Sequence, residues 1–186
     1  MKELRCRPAM QDDATDLADF FRRSADAGDL LPETGNADLL RDPCVLAHSD
    51  GSLVGVAFGV PAGGNGKGWN AELSVCVMPD FRQQGLATRL YAVVLDCLRL
   101  QGYRNVCGKV ILPNAAGEKL HEHFGFCRVG VRRRYEYRHG IWYDTALYER
   151  ALSDHPASPQ PVIPFRSLDR DAVEKILKFY GAEERS

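Results

Sequence analysis

Three short stretches carry residues able to move protons or hold anions. In "AELSVCV" (71–77), Glu72 stands in an otherwise apolar, β-branched run. Side chains on a strand alternate between faces, so Glu72, Ser74 and Cys76 share one face and Leu73, Val75 and Val77 the other. Such a carboxylate is either a base aimed at a reacting group or a solvent-facing edge residue. In "MPDFRQQGLATRL" (78–90) the strand stops at a proline, polar residues follow, and an apolar pattern of helical period begins after Gly85. Unpaired N–H groups and the positive end of the dipole make such a helix start a place for anions. Gly85 and Ala87 leave room there, Arg82 adds a cation and Thr88 a hydroxyl. The same residues would also make a plain strand-to-helix turn. The stretch has neither the Gly-Lys-Ser/Thr of a P-loop nor G-x-G-x-x-G. In "NAAGEKLHEHFG" (114–125), Asn114 suits a helix cap and His121 is an imidazole able to act near neutral pH. His123 is the ordinary surface histidine beside it.

The elements that must position these groups follow from periodicity and punctuation. "ELRCR" (3–7) reads as a strand and 11–29 as a helix with Leu17, Phe20, Phe21 and Ala25 on one face. Residues 30–43 are loop or one short helix. "CVLAHS" (44–49) and "SLVGVAFGVP" (52–61) flank Asp50-Gly51, a hairpin signal. A strand over 69–78, a helix over 85–102, a strand over 105–112 and a helix over 114–125 come next. Two strands, 126–140 and 141–152, meet at His139-Gly140. A Pro-rich linker (153–164) leads to an amphipathic helix, 168–181. The order β-α, β-β-β, α, β, α, β-β predicts an α/β (α+β) sandwich around a mostly antiparallel mixed sheet. The helix at 85–102 provides the crossover to a parallel strand. One domain over 1–152 and a tail over 153–186 account for the chain.

The 186 residues are 45% hydrophobic and 26% charged, with a formal net charge of −1. Nothing in this balance asks for nucleic acid or a membrane surface. No apolar run is long enough to span a bilayer, and the N-terminal stretch has no apolar core of a secretory signal. Six scattered cysteines with no C-x-x-C pair read as reduced thiols in a cytoplasmic protein, not as a zinc site or another metal site.

"PDFRQQGLATRL" resembles the Arg/Gln-x-x-Gly-x-Gly/Ala signature of the GNAT N-acetyltransferases. Together with "AELSVCV", "LPNAAGEKLHEHFGF" (112–126) and "RHGIWYD" (138–144), in that order, the chain is similar to the phosphinothricin/L-amino-acid N-acetyltransferase branch. The likeness spans roughly residues 1–150 and is strongest from 69 onward. It implies a GNAT fold, acetyl-CoA as co-substrate, no metal, and a homodimer. The acceptor implied is the primary amine of a small molecule, an amino acid or an analogue. A peptide or protein amine, an aminoglycoside, and an idle acyl-CoA-binding module are the alternatives.

Carried over residue by residue, the resemblance makes Glu72 the base for the amine and His121 the acid for the coenzyme A thiolate. It assigns the backbone of Val75, Cys76 and Val77 to pantetheine, which requires the neighbouring strands to splay. Arg82, Gln83, Gln84, Gly85, Leu86, Ala87 and Thr88 are assigned to the pyrophosphate, and Asn114 to the pantetheine arm. Cys76 stands where the family usually has tyrosine, and direct transfer needs no acyl-cysteine. The branch also places aromatic and cationic residues just before the glutamate strand. Here "AGGNGKGWNAE" offers only Trp69 as an aromatic wall and Lys67 as a cation. His139, Trp142 and Asp144 match the branch and read as a hairpin anchor.

Overall fold

Two tight turns set the hairpins of the sheet. Asp50 and Gly51 have φ of 50° and 78°, and His139 and Gly140 have 49° and 81°. Positive φ at both central residues is the type I′ pattern, whose twist suits antiparallel strands. The turns join β2 (Cys44–Ser49) to β3 (Ser52–Pro61) and β6 (Cys127–Arg138) to β7 (Ile141–Ala151). The computed structural model describes residues 4–26, 42–62 and 68–181. Lys67 and most of the weakly patterned 30–43 segment lie outside them.

With β1 (Leu4–Pro8), β4 (Asn70–Val77) and β5 (Asn105–Ile111), these strands form one seven-stranded sheet of order β1-β2-β3-β4-β5-β7-β6. Every neighbouring pair is antiparallel except β4 and β5. Four described α-helices accompany the sheet: α1 (Ala14–Asp26), α2 (Leu86–Gln101), α3 (Ala115–His123) and α4 (Arg170–Gly181). The expected crossover is α2, and the mixed sheet is the predicted one. The strand order adds something the chain order does not suggest: β7 inserts between β5 and β6, so β6 is an edge strand.

The alternation along β4 divides the core. Ala71, Leu73 and Val77 pack with Leu86, Leu90, Val94 and Leu98 of α2. On the other face Leu17 and Phe20 of α1 pack with Leu46, Val56 and Phe58, and Cys76 joins this layer. The first helix starts later than the expected residue 11, and its expected stop at Gly28 lies outside the described residues. Gln11–Asp13 is a separate 3-10 turn, because the Asp13 carboxylate accepts the Met10 N–H at 2.7 Å and two Arg7 donors at 2.7 and 2.6 Å. An aspartate that reaches back to the N–H three residues before it marks the first turn of a helical segment, here the one that begins after Met10.

The tail folds back on its own chain. Gln101 and Ile163 exchange two hydrogen bonds, backbone N–H to carbonyl at 2.8 Å and carboxamide to carbonyl at 2.9 Å. Tyr180 donates its hydroxyl to Asp96 at 2.8 Å, and Ile176 and Leu177 pack against the α2 core layer.

Candidate active site

The site is built on a fork. β4 and β5 pair only at Asn70↔Asn105, Ala71↔Val106 and Glu72↔Cys107. Beyond that point β4 stays paired with β3 and β5 with β7, and the two strands part. Among the described residues, one edge of β4 from Leu73 to Val77 therefore has no strand partner. Backbone donors and acceptors left open in this way can be satisfied by an extended ligand laid alongside. Of Val75, Cys76 and Val77, the sequence candidates for holding pantetheine, Val75 and Val77 turn their backbone groups to this edge, whereas those of Cys76 face Val56 of β3, as the bonds Met78 N–H to Val54 and Ala62 N–H to Asn70 on the same register require. The Cys76 thiol itself is turned toward α1, where its Sγ lies 3.0 Å from Ser24 Oγ.

Glu72 is the last paired residue before the fork opens. Its side chain is 21% exposed and its Oε2 lies 2.8 Å from Lys109 Nζ. Directly paired residues share a face, so Cys107 stands beside Glu72, with Glu149 of β7 beyond it. The Cys107 thiol donates to the Ala71 carbonyl at 3.2 Å. Burial, with the Glu72 charge adding to it, pushes this thiol above its ordinary value and keeps it protonated. Thus a partly exposed carboxylate, a cation and an inert thiol gather where the strands separate.

His121 occupies the opposite face. Val106, Gly108 and Val110 are the buried side of β5, and α3 lies against that side. The imidazole is 6% exposed and stands among Tyr91, Phe126 and Tyr148, with ring centroids 5.5, 5.2 and 5.0 Å away. Nδ1 lies 2.8 Å from the Gly117 carbonyl oxygen, which can only accept, so Nδ1 carries the proton. Nε2 is buried without a partner among the described residues. It faces Gly108, where a Cβ would lie 2.1 Å from it. Glycine here is demanded by close approach, not by backbone conformation. Burial lowers the pKa of the imidazole, and the Gly117 hydrogen bond opposes that only in part. The resting ring is therefore neutral at pH 7, and its Nε2 is a bare acceptor.

The loop after β4 is shaped by its own backbone. Pro79–Phe81 is a 3-10 turn, the Arg82 Nε–H donates to the Val77 carbonyl at 2.8 Å, and Gln84 donates to the Asp80 carbonyl at 3.0 Å. Gln83 and Gly85 both have positive φ, 59° and 77°. Gly85 is the N-cap of α2, with no side chain capping the helix. A Cβ added there would meet nothing within 4 Å. The turn thus needs Gly85 for its conformation, and the space over it is open. Leu86 is buried in the core, so only its N–H can face a ligand, while Ala87 and Thr88 are half-buried. This helix start, with uncapped N–H groups and open space above them, fits an anionic group such as a pyrophosphate.

Two further candidates have structural duties. Asn114 caps α3, its Oδ1 accepting the Gly117 N–H at 2.9 Å. Trp69 stands before β4, and its indole N–H donates to the Gln160 carbonyl at 2.7 Å. The structure thus gives Trp69 to the tail, at the closed end of the fork. His139 forms the β6–β7 turn, Tyr137 and Trp142 stack across the strands with centroids 5.0 Å apart, and Asp144 accepts the Arg134 N–H at 2.8 Å. That is the anchor expected of them. Sequence reasoning missed Lys109 and Gly108. The signal was present in "CGKV": a glycine inside a buried strand marks close approach, and a lysine beside it is out of place in an apolar run.

Comparison with known proteins narrows the chemistry. The acetyltransferase (GNAT) family profile matches residues 10–126. A phosphinothricin N-acetyltransferase of Streptomyces viridochromogenes is 33% identical over 129 residues, covering 69% of this chain and 70% of its own length. A phosphinothricin N-acetyltransferase of Streptomyces coelicolor is 28% identical, covering 81% and 97%. Among solved structures, a GNAT superfamily phosphinothricin acetyltransferase from Sinorhizobium meliloti in complex with AcCoA superposes with a TM-score of 0.72. It is 21% identical and covers 88% of this chain and 99% of its own.

Proposed function

Because this chain belongs to the GNAT family of acetyltransferases and is an acetyl-CoA-dependent N-acetyltransferase of that type, we propose that its acceptor is the primary amine of an amino acid or an amino-acid analogue. The observation that carries this reading is the fork, with Glu72 at its apex on a partly exposed face. The names of the curated relatives supply the acceptor class.

Acetyl-CoA brings the acetyl group as a thioester, already activated toward attack. The open edge of β4 at Val75–Val77 holds its pantetheine arm, with Asn114 close to that arm. The first N–H groups of α2, at Leu86, Ala87 and Thr88, with Gly85 and the side chains of Arg82, Gln83 and Gln84, hold the pyrophosphate. A protonated amine is not nucleophilic, so Glu72 takes its proton, directly or through water. The amine nitrogen then bonds to the acetyl carbon while the carbon–sulfur bond breaks. Two protons leave the nitrogen, one to Glu72 before attack and one as the amide forms; the thiolate takes up one of them and the other passes to solvent. His121 stands on the thiolate side of the fork. Since its resting Nε2 has no proton to give, it acts by taking one up and passing it on, not as a preloaded acid. We place the protein in the cytoplasm as a homodimer. The exposed Tyr135, Tyr137, Ile141 and Trp142 at the β6–β7 end support self-association, which sedimentation at two concentrations tests.

The deciding experiment is a screen of amino acids and analogues, phosphinothricin included, with free thiol release as readout. Turnover of at least one of them is expected. Turnover only of peptides or aminoglycosides would move the acceptor class. Tight acetyl-CoA binding without turnover of any amine would make the protein a binding module.

A further inference from the structure

The cation at the fork is Lys109. It stands on β5 two residues past the last β4–β5 pair, after the strands have parted, yet its Nζ reaches Glu72 Oε2 at 2.8 Å. Its side chain is 41% exposed. Leu147 lies opposite it on β7, and the next ionisable neighbours on that face are Cys107 and Glu149. Lysine is disfavoured on a strand, and an ion pair this exposed adds little stability. Nor does a hydrogen-bonded lysine help a base, because it occupies an oxygen that could accept a proton. The pair is poorly explained as architecture.

We propose that Lys109 determines acceptor specificity by binding the carboxylate of an α-amino acid whose ammonium group lies on Glu72. The proposal rests on the amine-acetylating reading above. In the resting protein the two side chains pair with each other. A zwitterion presents the complementary pair: one carbon separates its nitrogen from its carboxylate, so the two charges lie roughly 3–4 Å apart on standard bond lengths. Rotation of the long, half-exposed Lys109 side chain opens the pair, so that the ligand's ammonium group meets Glu72 and its carboxylate meets Lys109. One ion pair is then exchanged for two, and no charge is left uncompensated. An amine without an acid group must break the Glu72–Lys109 pair and offers Lys109 nothing in return. Sites built this way reject the analogue lacking the matching group. The arrangement selects amino acids over simple amines without any contribution from the glycine-rich stretch upstream.

The test compares wild type, Lys109→Met and Lys109→Arg on a panel of L-amino acids and on their α-carboxamides, at saturating acetyl-CoA. Acids and carboxamides differ in basicity, but the comparison between proteins cancels that difference. Lys109→Met is expected to raise KM for the acids about 10- to 100-fold, the range of a lost hydrogen bond to a charged group. The acid-to-carboxamide ratio of kcat/KM should fall by a similar factor, and Lys109→Arg should restore part of it. An unchanged ratio, with kcat lowered for acids and carboxamides alike, would make Lys109 a support for Glu72 and overturn the proposal. So would a wild type that acetylates carboxamides and refuses every acid. Either outcome leaves the amine-acetylating reading standing, whereas no turnover of any amine defeats that reading and this inference together.

Discussion

The two faces of the β4–β5 fork carry the two titratable candidates under opposite conditions. On one face Glu72 is partly open to water and touches a lysine. On the other His121 is sealed among three aromatic rings, with one nitrogen bonded to a carbonyl and the other against a glycine. Both faces sit at the same place in the sheet, since Gly108 follows Cys107, the partner of Glu72. The difference teaches that solvation, not position, separates their roles. A solvated carboxylate can take a proton from an incoming amine in every cycle. A buried imidazole held neutral has no proton at Nε2 to give at rest, so it can take part only by first taking one up and then passing it on.

The largest expected effect breaks the first half of this contrast. Glu72→Gln removes the base while keeping shape, and kcat should fall by roughly 10²–10⁴-fold, the usual worth of general base catalysis. Acetyl-CoA affinity, read by calorimetry, should stay within a small factor, because the contacts proposed for the donor do not include the Glu72 side chain. An unchanged kcat removes Glu72 from the mechanism.

The second half is broken by filling the space that His121 occupies. In Gly108→Ala the new Cβ collides with Nε2, and overpacking of this kind costs about 1–3 kcal/mol. Denaturant midpoints measure the loss. A variant as stable as wild type would show that the ring moves aside easily, and the sealed face would be softer than described.

A pH series sharpens the contrast further. The folded pKa of His121 is lowered by burial. Above its unfolded value of about 6.5 both states are neutral and the group adds no pH dependence. Below that, the unfolded chain binds a proton that the folded ring refuses. Stability present above the unfolded value is therefore lost as pH falls toward the folded one, by at most about 1.4 kcal/mol per pH unit. Unfolding measured between pH 7.5 and 5 should show this slope, and His121→Gln should flatten it. An identical slope in the variant would assign the dependence to other groups, such as His48, whose pKa burial also lowers.

The smallest effect separates the fork from the tail. Trp69→Phe keeps the ring and removes the hydrogen bond to Gln160, at a cost of about 0.5–1.5 kcal/mol. KM for the acceptor should not change, because the indole is committed at the closed end of the fork. A raised KM would return Trp69 to the acceptor pocket.

The sequence by itself determined what local physics controls. Both I′ turns, the alternation along β4, the α2 crossover and the caps at Asn114 and Gly85 depend on neighbours a few residues apart, and each was legible. Glu72 as candidate base and the loop proposed to hold an anion were legible because they sit in one continuous stretch, 71–90, whose order is their geometry. Tertiary structure alone decided that β7 inserts beside β5, that the tail claims Trp69, and that Lys109 reaches Glu72 across a gap. It also decided that His121 is sealed, since its surroundings come from α2, β5, β7 and the chain after α3. Sequence spacing fixes which face of a helix or strand a residue occupies. Which element covers that face, and so whether water reaches a charge, is settled only when distant segments pack.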